Sequence, residues 1–329
     1  MAASATVAPR RAPRERALAR REALTAYLFI APYLIIAGIF TLGLLVYAFY
    51  ISLTDLKATF APTSNFVGIN NYIRAVQDSE FRIALGNVVW YFLIVTVLQT
   101  IGAILLATLL NTRMKGQRFY RTMFYAPSVA STVVTSMIFL WLYLRTGWIN
   151  AILGTDISWL QDPRGLWQII LGPLGINITS PFLKGPSVAW LAIMAMNIFT
   201  TIPTFMVMFL AALQDIPGHL YEAAAIDGST GPHAFLHITL PLLRPVILLV
   251  IVLGTIGSFN TFDQVAIMTK GGPLRTTLAP AYLIYTKTLG EATSADAGFA
   301  AAMAFILAAI IFGITLIQRR YIESASERY

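Results

Sequence analysis

The chain has 329 residues, of which 57% are hydrophobic and only 12% charged, with a mean hydropathy of +0.71 and a formal net charge of +8. Soluble domains carry charge on roughly a quarter of their residues, so this composition excludes a soluble fold and indicates an integral membrane protein. There is no cysteine, which excludes disulfides, thiolate metal sites and a cysteine nucleophile.

Residues 1–22 form a basic arm. Arg10, Arg11, Arg14, Arg16, Arg20 and Arg21 are offset by Glu15 and Glu22, a pattern that reads as a solvated flank beside a membrane helix. No charge then appears from Ala23 to Thr54. That run is too long for a signal-peptide core and lacks a clear cleavage site, so it is expected to be an uncleaved first span. A polar loop, Asp55–Arg82, carries Phe66-Val67-Gly68-Ile69-Asn70-Asn71-Tyr72, on its own a Gly/Asn turn. The second span lies within Ile83–Thr112, and a short loop with Arg113, Lys115, Arg118 and Arg121 follows. The third span is Thr122–Leu144. Its Pro127, Ser128, Ser131, Thr132, Thr135 and Ser136 suit helix–helix contact, with the lining of a pathway as the alternative.

Arg145–Pro186 is the longest loop. Gly165–Leu183 is also uncharged, but Pro173, Gly175, Asn177, Thr179 and Pro181 interrupt it, and lipid tolerates no unpaired backbone. Leu166–Leu171 is therefore expected to be an interfacial helix, with Trp159 and Trp167 near the headgroups. The fourth span is Ser187–Leu213, the fifth about Leu242–Phe262 and the sixth about Ala297–Gln318. The division is thus an arm (1–22), an all-α six-span membrane domain (23–318) and a tail (319–329). Six spans put both ends on one side. Fourteen Lys and Arg lie on that side against nine on the other, in shorter and denser stretches, so both termini and the loop 214–241 are expected in the cytosol. The positive charge is then a matter of topology and requires no nucleic acid.

The loop 214–241 reads as two short helices joined by a turn. Pro217 fits a first helical turn, Glu222–Ile226 are good helix formers, Gly228 supplies a helix-ending positive φ, Gly231-Pro232 starts the second helix, and Leu240-Pro241 closes it. Three alanines flatten one face of the first helix, as a docking knuckle needs. The pattern Glu222-Ala223-Ala224, three residues, Gly228, nine residues, Ile238-x-Leu240-Pro241 resembles the signature loop of permease subunits of ATP-binding cassette (ABC) importers. Phe66–Tyr72 is similar to the F-V-G-x-x-N-Y segment of sugar-type members. Thr269-Lys270-Gly271-Gly272-Pro273 is similar to the T-x-G-G-P segment of the carbohydrate-uptake branch, which accepts oligosaccharides, disaccharides and glycerol phosphates.

Chemistry along the chain agrees with a transport subunit. There is no G-x-x-x-x-G-K-[ST] and no Gly-Lys pair, so the chain has no P-loop. His233 and His237 have the i, i+4 spacing of metal ligands, yet with no carboxylate at helical spacing they make only part of a site. No metal site and no catalytic residue is expected. No acid or base falls inside the six spans as drawn, which argues against a proton-coupled carrier and leaves the energy source outside the chain.

The resemblance implies the fold of type I ABC importer permeases and a set of partners. These are a second homologous permease, two ATPase subunits that hold ATP and Mg, an extracytoplasmic solute-binding protein, a sugar substrate and the lipid of a bacterial or archaeal cytoplasmic membrane. No cofactor is expected on this chain. Coupling to the ATPase would fall to Glu222, Ala223, Ala224, Asp227, Gly228, Ile238, Leu240 and Pro241. The substrate path would use Asn197, Thr200, Thr201 and Thr204 on the fourth span and Phe259, Asn260 and Thr261 on the fifth, since sugars need neutral hydrogen-bonding groups and aromatic faces. Interhelical hydrogen bonding by the same Asn and Thr residues is the competing reading. Two other functions stay open: a permease for another small solute (polyol, glycerol phosphate or peptide) and a non-transport scaffold that docks an ATPase.

Overall fold

The structure is a computed structural model that describes residues 13–57, 64–112, 115–175, 178, 180, 182–289 and 295–326. Arg10, Arg11, Arg113, Asn177, Thr179, Pro181 and Arg328 lie outside the described residues. Among the described residues the fold is all-helical, with two isolated bridges, Thr54 to Phe66 and Gly165 to Ser187.

Among the described residues five helices are long and apolar enough to cross a membrane: Arg21–Ser52, Ser79–Asn111, Val188–Gln214, Arg244–Met268 and Ala297–Arg320. The second and fourth spans, Ser79–Asn111 and Val188–Gln214, pack along each other and form the centre. Phe81, Ala84, Val88, Tyr91, Val95, Gln99, Ala103, Ala107 and Leu110 are all buried, and their spacing of three and four places them on one face. The small side chains of Ala103 and Ala107 let the fourth span approach, so that Phe205, Met206 and Phe209 fill the seam. Nearer the other end Tyr91 and Val95 meet Trp190, Ile193 and Met194.

The third span is not one straight helix. Gln117–Val129 and Thr132–Leu142 form a pair bent by 92°, and at about 1.5 Å per residue neither limb alone crosses ~30 Å of hydrocarbon. Pro127 lacks the N–H that would bond back into the preceding turn. Ala130 and Ser131 are extended, and the Ser131 hydroxyl accepts from Val134 N–H at 3.4 Å, capping a new helix. The first limb lies against the fourth span. Its Gln117 and Arg121 side chains donate to the Leu110 carbonyl, at 2.8 Å from Gln117 and 3.1 Å from Arg121 Nη2, and so cap the second span.

The segment 66–72 is a clamp. Val67 and Gly68 N–H groups donate to the Leu53 carbonyl, Asn71 Nδ2 donates to the Ser52 and Thr54 carbonyls at 3.0 and 2.7 Å, and the Tyr72 hydroxyl meets Ser52 Oγ at 2.7 Å. Gly68 sits at φ +59, a region glycine enters without strain. Together these contacts absorb the carbonyls at the end of the first span. In the long loop, Leu166–Leu171 is helical as expected and Trp167 is exposed. Trp159 is tied into the fold: its indole N–H donates to Asn150 Oδ1 at 3.0 Å and its ring packs on Tyr143.

The fifth span also differs from expectation. After a break at Asn260–Phe262 it resumes as Asp263–Met268, and the apolar run continues to Met268. An acid, Asp263, therefore opens the turn of helix that continues the fifth span, which the expected end at Phe262 missed because it followed the apolar stretch.

Candidate functional site

The first element of the site is the helix His219–Ile226. It ends in a Schellman motif: Gly228 N–H donates to the Ala225 carbonyl at 3.1 Å and Ser229 N–H to the Ala224 carbonyl at 2.8 Å, with Gly228 at φ +78. The Tyr221 hydroxyl lies 2.8 Å from Thr239 Oγ1 and pins this helix to the segment that follows. Glu222, Ala223, Asp227 and Gly228 are exposed and Ala224 half-buried, and Ile226, at 87% exposure, is a bare apolar side chain on the same knuckle. Leu240 packs instead into the core formed with Leu213 and Leu243.

Leu240-Pro241 does not close the second helix. The chain runs from Gly231–Ala234 through a π-helical stretch, Phe235–Thr239, into Leu240–Leu242 and then the fifth span. Pro241 sits at the start of the short helix Leu240–Leu242, where its missing N–H is not required. The His233 and His237 rings stack with centroids 4.0 Å apart, and their Nδ1 atoms face Ser229 Oγ and the His233 carbonyl. Among the described residues no three His, Cys, Asp or Glu side chains converge on a metal site.

The second element is the polar stripe at membrane depth. On the fourth span Thr201 Oγ1 donates to Gln99 Oε1 at 2.8 Å, so its hydroxyl bonds across to the second span. Thr200 bonds back to the Asn197 carbonyl at 2.9 Å, Asn197 and Thr200 are half-buried, and Thr204 is exposed. On the fifth span Asn260 is exposed with Nδ2 on the Ile256 carbonyl at 2.9 Å. Phe259, 1% exposed, packs with Val88 and Leu307, and Thr261 is buried too. Phe259 and Thr261 therefore face the subunit's own core. The residues left open to a path are Asn197, Thr200, Thr204 and Asn260.

Two participants were not anticipated. Gln99 joins three spans: it accepts from Thr201, and a Cβ at Gly254 would overlap its Nε2. Thr96 Oγ1 lies 3.4 Å from Ser258 Oγ across the same crossing. Asp263 is the other, and its position three residues after Asn260 was the available signal.

At the Met268 end of the fifth span, Thr269–Pro273 forms a tight turn, with Lys270, Leu274 and Arg275 at φ +51, +49 and +64. Thr277 Oγ1 donates to the Gly272 carbonyl at 2.6 Å, and Asn87 Nδ2 to the Arg275 and Leu278 carbonyls at 2.9 and 3.0 Å. Glu80 pairs with Arg275 at 2.8 Å and Lys287 at 3.0 Å.

A family described as "Binding-protein-dependent transport system inner membrane component" matches residues 99–325. The chain is 30% identical over 303 residues to the trehalose/maltose transport system permease protein MalF of Thermococcus litoralis, covering 90% of this chain and 93% of that protein. It is 32% identical over 300 residues to the sn-glycerol-3-phosphate transport system permease protein UgpA of Agrobacterium fabrum, covering 90% and 94%. Its fold is shared with a chain of a bacterial ABC transporter involved in the import of the acidic polysaccharide alginate, with a TM-score of 0.74 at 19% identity, over 94% of this chain and 99% of that one.

Proposed function

The chain belongs to the inner membrane components of binding-protein-dependent transport systems, and we propose that its cargo is a sugar of the di- or oligosaccharide class. It is a permease subunit of an ABC importer, a transport subunit and not an enzyme. Family membership also sets the membrane as its seat, and we place it in a bacterial or archaeal cytoplasmic membrane with both termini and the signature loop in the cytosol. The partners in this reading are a second permease, two ATPase subunits that bind ATP and Mg, and an extracytoplasmic binding protein that delivers the solute. A bacterial alginate ABC transporter that shares this fold was solved in complex with an alginate pentasaccharide-bound periplasmic protein, which supports that last partner.

The observation that carries the reading is the Schellman-ended helix His219–Ile226, with Glu222, Ala223 and Ile226 bare. A short rigid helix with small side chains and one exposed apolar anchor is suited to enter a cleft on an ATPase. Closure of the ATPase pair would then pull on Tyr221 and Thr239, and through them on the fifth span, turning the permeases by a rigid-body alternating-access step. Asn197, Thr200, Thr204 and Asn260 supply neutral hydrogen-bonding groups for hydroxyls, which a scaffold would not need.

Because the chain has no cysteine, Ala223→Cys places a unique thiol on the knuckle. The reading predicts that an impermeant maleimide labels it only from the cytosolic face, and that a short bifunctional reagent joins it to the ATPase in the assembled importer. Labelling only from the outer face, or no cross-link in an ATPase-active assembly, refutes it.

A further inference from the structure

Asp263 stands out once the fifth span is seen to run from Arg244 to Met268. At ~1.5 Å per residue the helix Arg244–Phe259 is about 24 Å long, and Asp263 lies just beyond its end, still within the apolar stretch Arg244–Met268. It follows directly on the break at Asn260–Phe262 and is half-buried. No hydrogen bond or ion pair engages its carboxylate among the described residues. The helix Asp263–Met268 packs mainly against Thr132–Leu142 and, less, Val188–Gln214, and neither carries a Lys or Arg. The next cation along the chain is Lys270, beyond the helix end. An uncompensated carboxylate within an apolar span is costly unless it faces water or a ligand. Broken helices create such polar places, because the freed backbone must also be satisfied.

We propose that the Asp263 carboxylate lines the translocation path and restricts it to neutral polyhydroxyl solutes. It accepts hydrogen bonds from solute hydroxyls and repels carboxylated or phosphorylated cargo. This rests on the sugar-importer reading and narrows it, since relatives of this chain are named for both neutral disaccharides and a phosphate ester. A carboxylate donates no hydrogen bond and carries full charge. Against an anionic group at about 5 Å, in surroundings of intermediate dielectric, the repulsion amounts to a discrimination on the order of a hundredfold. The neutral amides of Asn197 and Asn260 are indifferent to charge and cannot provide it.

The test uses the complete purified importer, comprising this chain, its partner permease and the ATPase pair, with the binding protein left out so that the path's own preference is read. Saturation-transfer NMR measures binding of trehalose and maltose against their 6-phosphates, for wild type, Asp263→Asn and Asp263→Glu. Retention of the ATPase on purification checks that each variant assembles. The expected result is about a hundredfold preference for the neutral sugars in wild type and in Asp263→Glu, falling to within a few-fold in Asp263→Asn. An unchanged ratio in Asp263→Asn overturns the proposal, as does a wild-type preference for the phosphorylated sugars or an Asp263→Asn assembly that falls apart while Asp263→Glu holds. The last outcome would mark the carboxylate as an ion-pair partner of the second permease. In a parallel arm with the binding protein restored, ATP hydrolysis without uptake of any sugar would remove the importer reading itself, and the proposal with it.

Discussion

Replacing Gly228 by asparagine, alanine and proline grades one perturbation in three steps. A Cβ at this position meets no atom within 4 Å, so crowding contributes nothing. The cost comes from φ +78 and from the two hydrogen bonds of the Schellman motif. Alanine in the left-handed region costs about 1–2 kcal/mol, and asparagine less because it enters that region more readily. Proline cannot reach a positive φ and lacks the N–H that donates to Ala225. It also disfavours the near-helical backbone of Asp227, at φ -74 and ψ 4, for a total of about 3 kcal/mol or more. A loss of 1–2 kcal/mol lowers the population of the docking-competent helix end by a factor of roughly 5–30. The assay is retention of the ATPase on an affinity-tagged form of this chain, titrated with ATPase, together with coupled uptake by the reconstituted importer. Affinity should fall in the order Gly, Asn, Ala, Pro. Alanine and asparagine indistinguishable from glycine, with proline alone impaired, would refute the argument from backbone conformation and leave only a generic dislike of proline.

Three further outcomes follow from the packing and the electrostatics. Gly254→Val drives a branched side chain into Gln99 and Thr96 where the second and fifth spans cross, and overpacking of this kind costs about 1–3 kcal/mol; a thermal-unfolding midpoint in detergent equal to wild type would contradict it. Asn71→Ala strips the donors from the Ser52 and Thr54 carbonyls and should cost about 1–3 kcal/mol, with faster proteolysis near the end of the first span as the readout. The Arg164 guanidinium, bonded to Asp162, holds that carboxyl below its usual range. Because the folded value is depressed, the stabilisation is present above the ordinary carboxylate pKa of about 4 and is lost as pH falls through the depressed value. Wild type should therefore melt above Asp162→Asn at neutral pH, with the gap closing at strongly acidic pH; a gap that widens on acidification would refute the assignment.

The parts of the fold legible in the sequence were those that charge and apolarity dictate. Runs without charge located the spans because lipid excludes charge whatever the helix does next, and Ser187–Leu213 agrees with the helix Val188–Gln214 to within a residue. The bend at Ala130–Ser131 was not legible, since apolar composition says nothing about direction. Pro127 and the hydroxyls after it read as helix-contact residues, although Ser131 in fact caps a new helix. The signature turn was legible through Gly228, where one residue type meets one backbone requirement. The inner stripe was only half legible. Thr201, Phe259 and Thr261 share polarity or aromaticity with Asn260, but which way each points depends on the crossing of three spans at Gln99 and Gly254. Asp263 was hidden by a helix that breaks for three residues and resumes.

The most direct test of the account is uptake of a labelled neutral disaccharide by proteoliposomes that hold the complete importer, with ATP supplied on the signature-loop side and the binding protein on the opposite side. The account predicts uptake that needs both additions and stops when Gly228 is replaced by proline. Uptake driven by a proton gradient without ATP, or accumulation that persists when the ATPase pair is omitted, would contradict it.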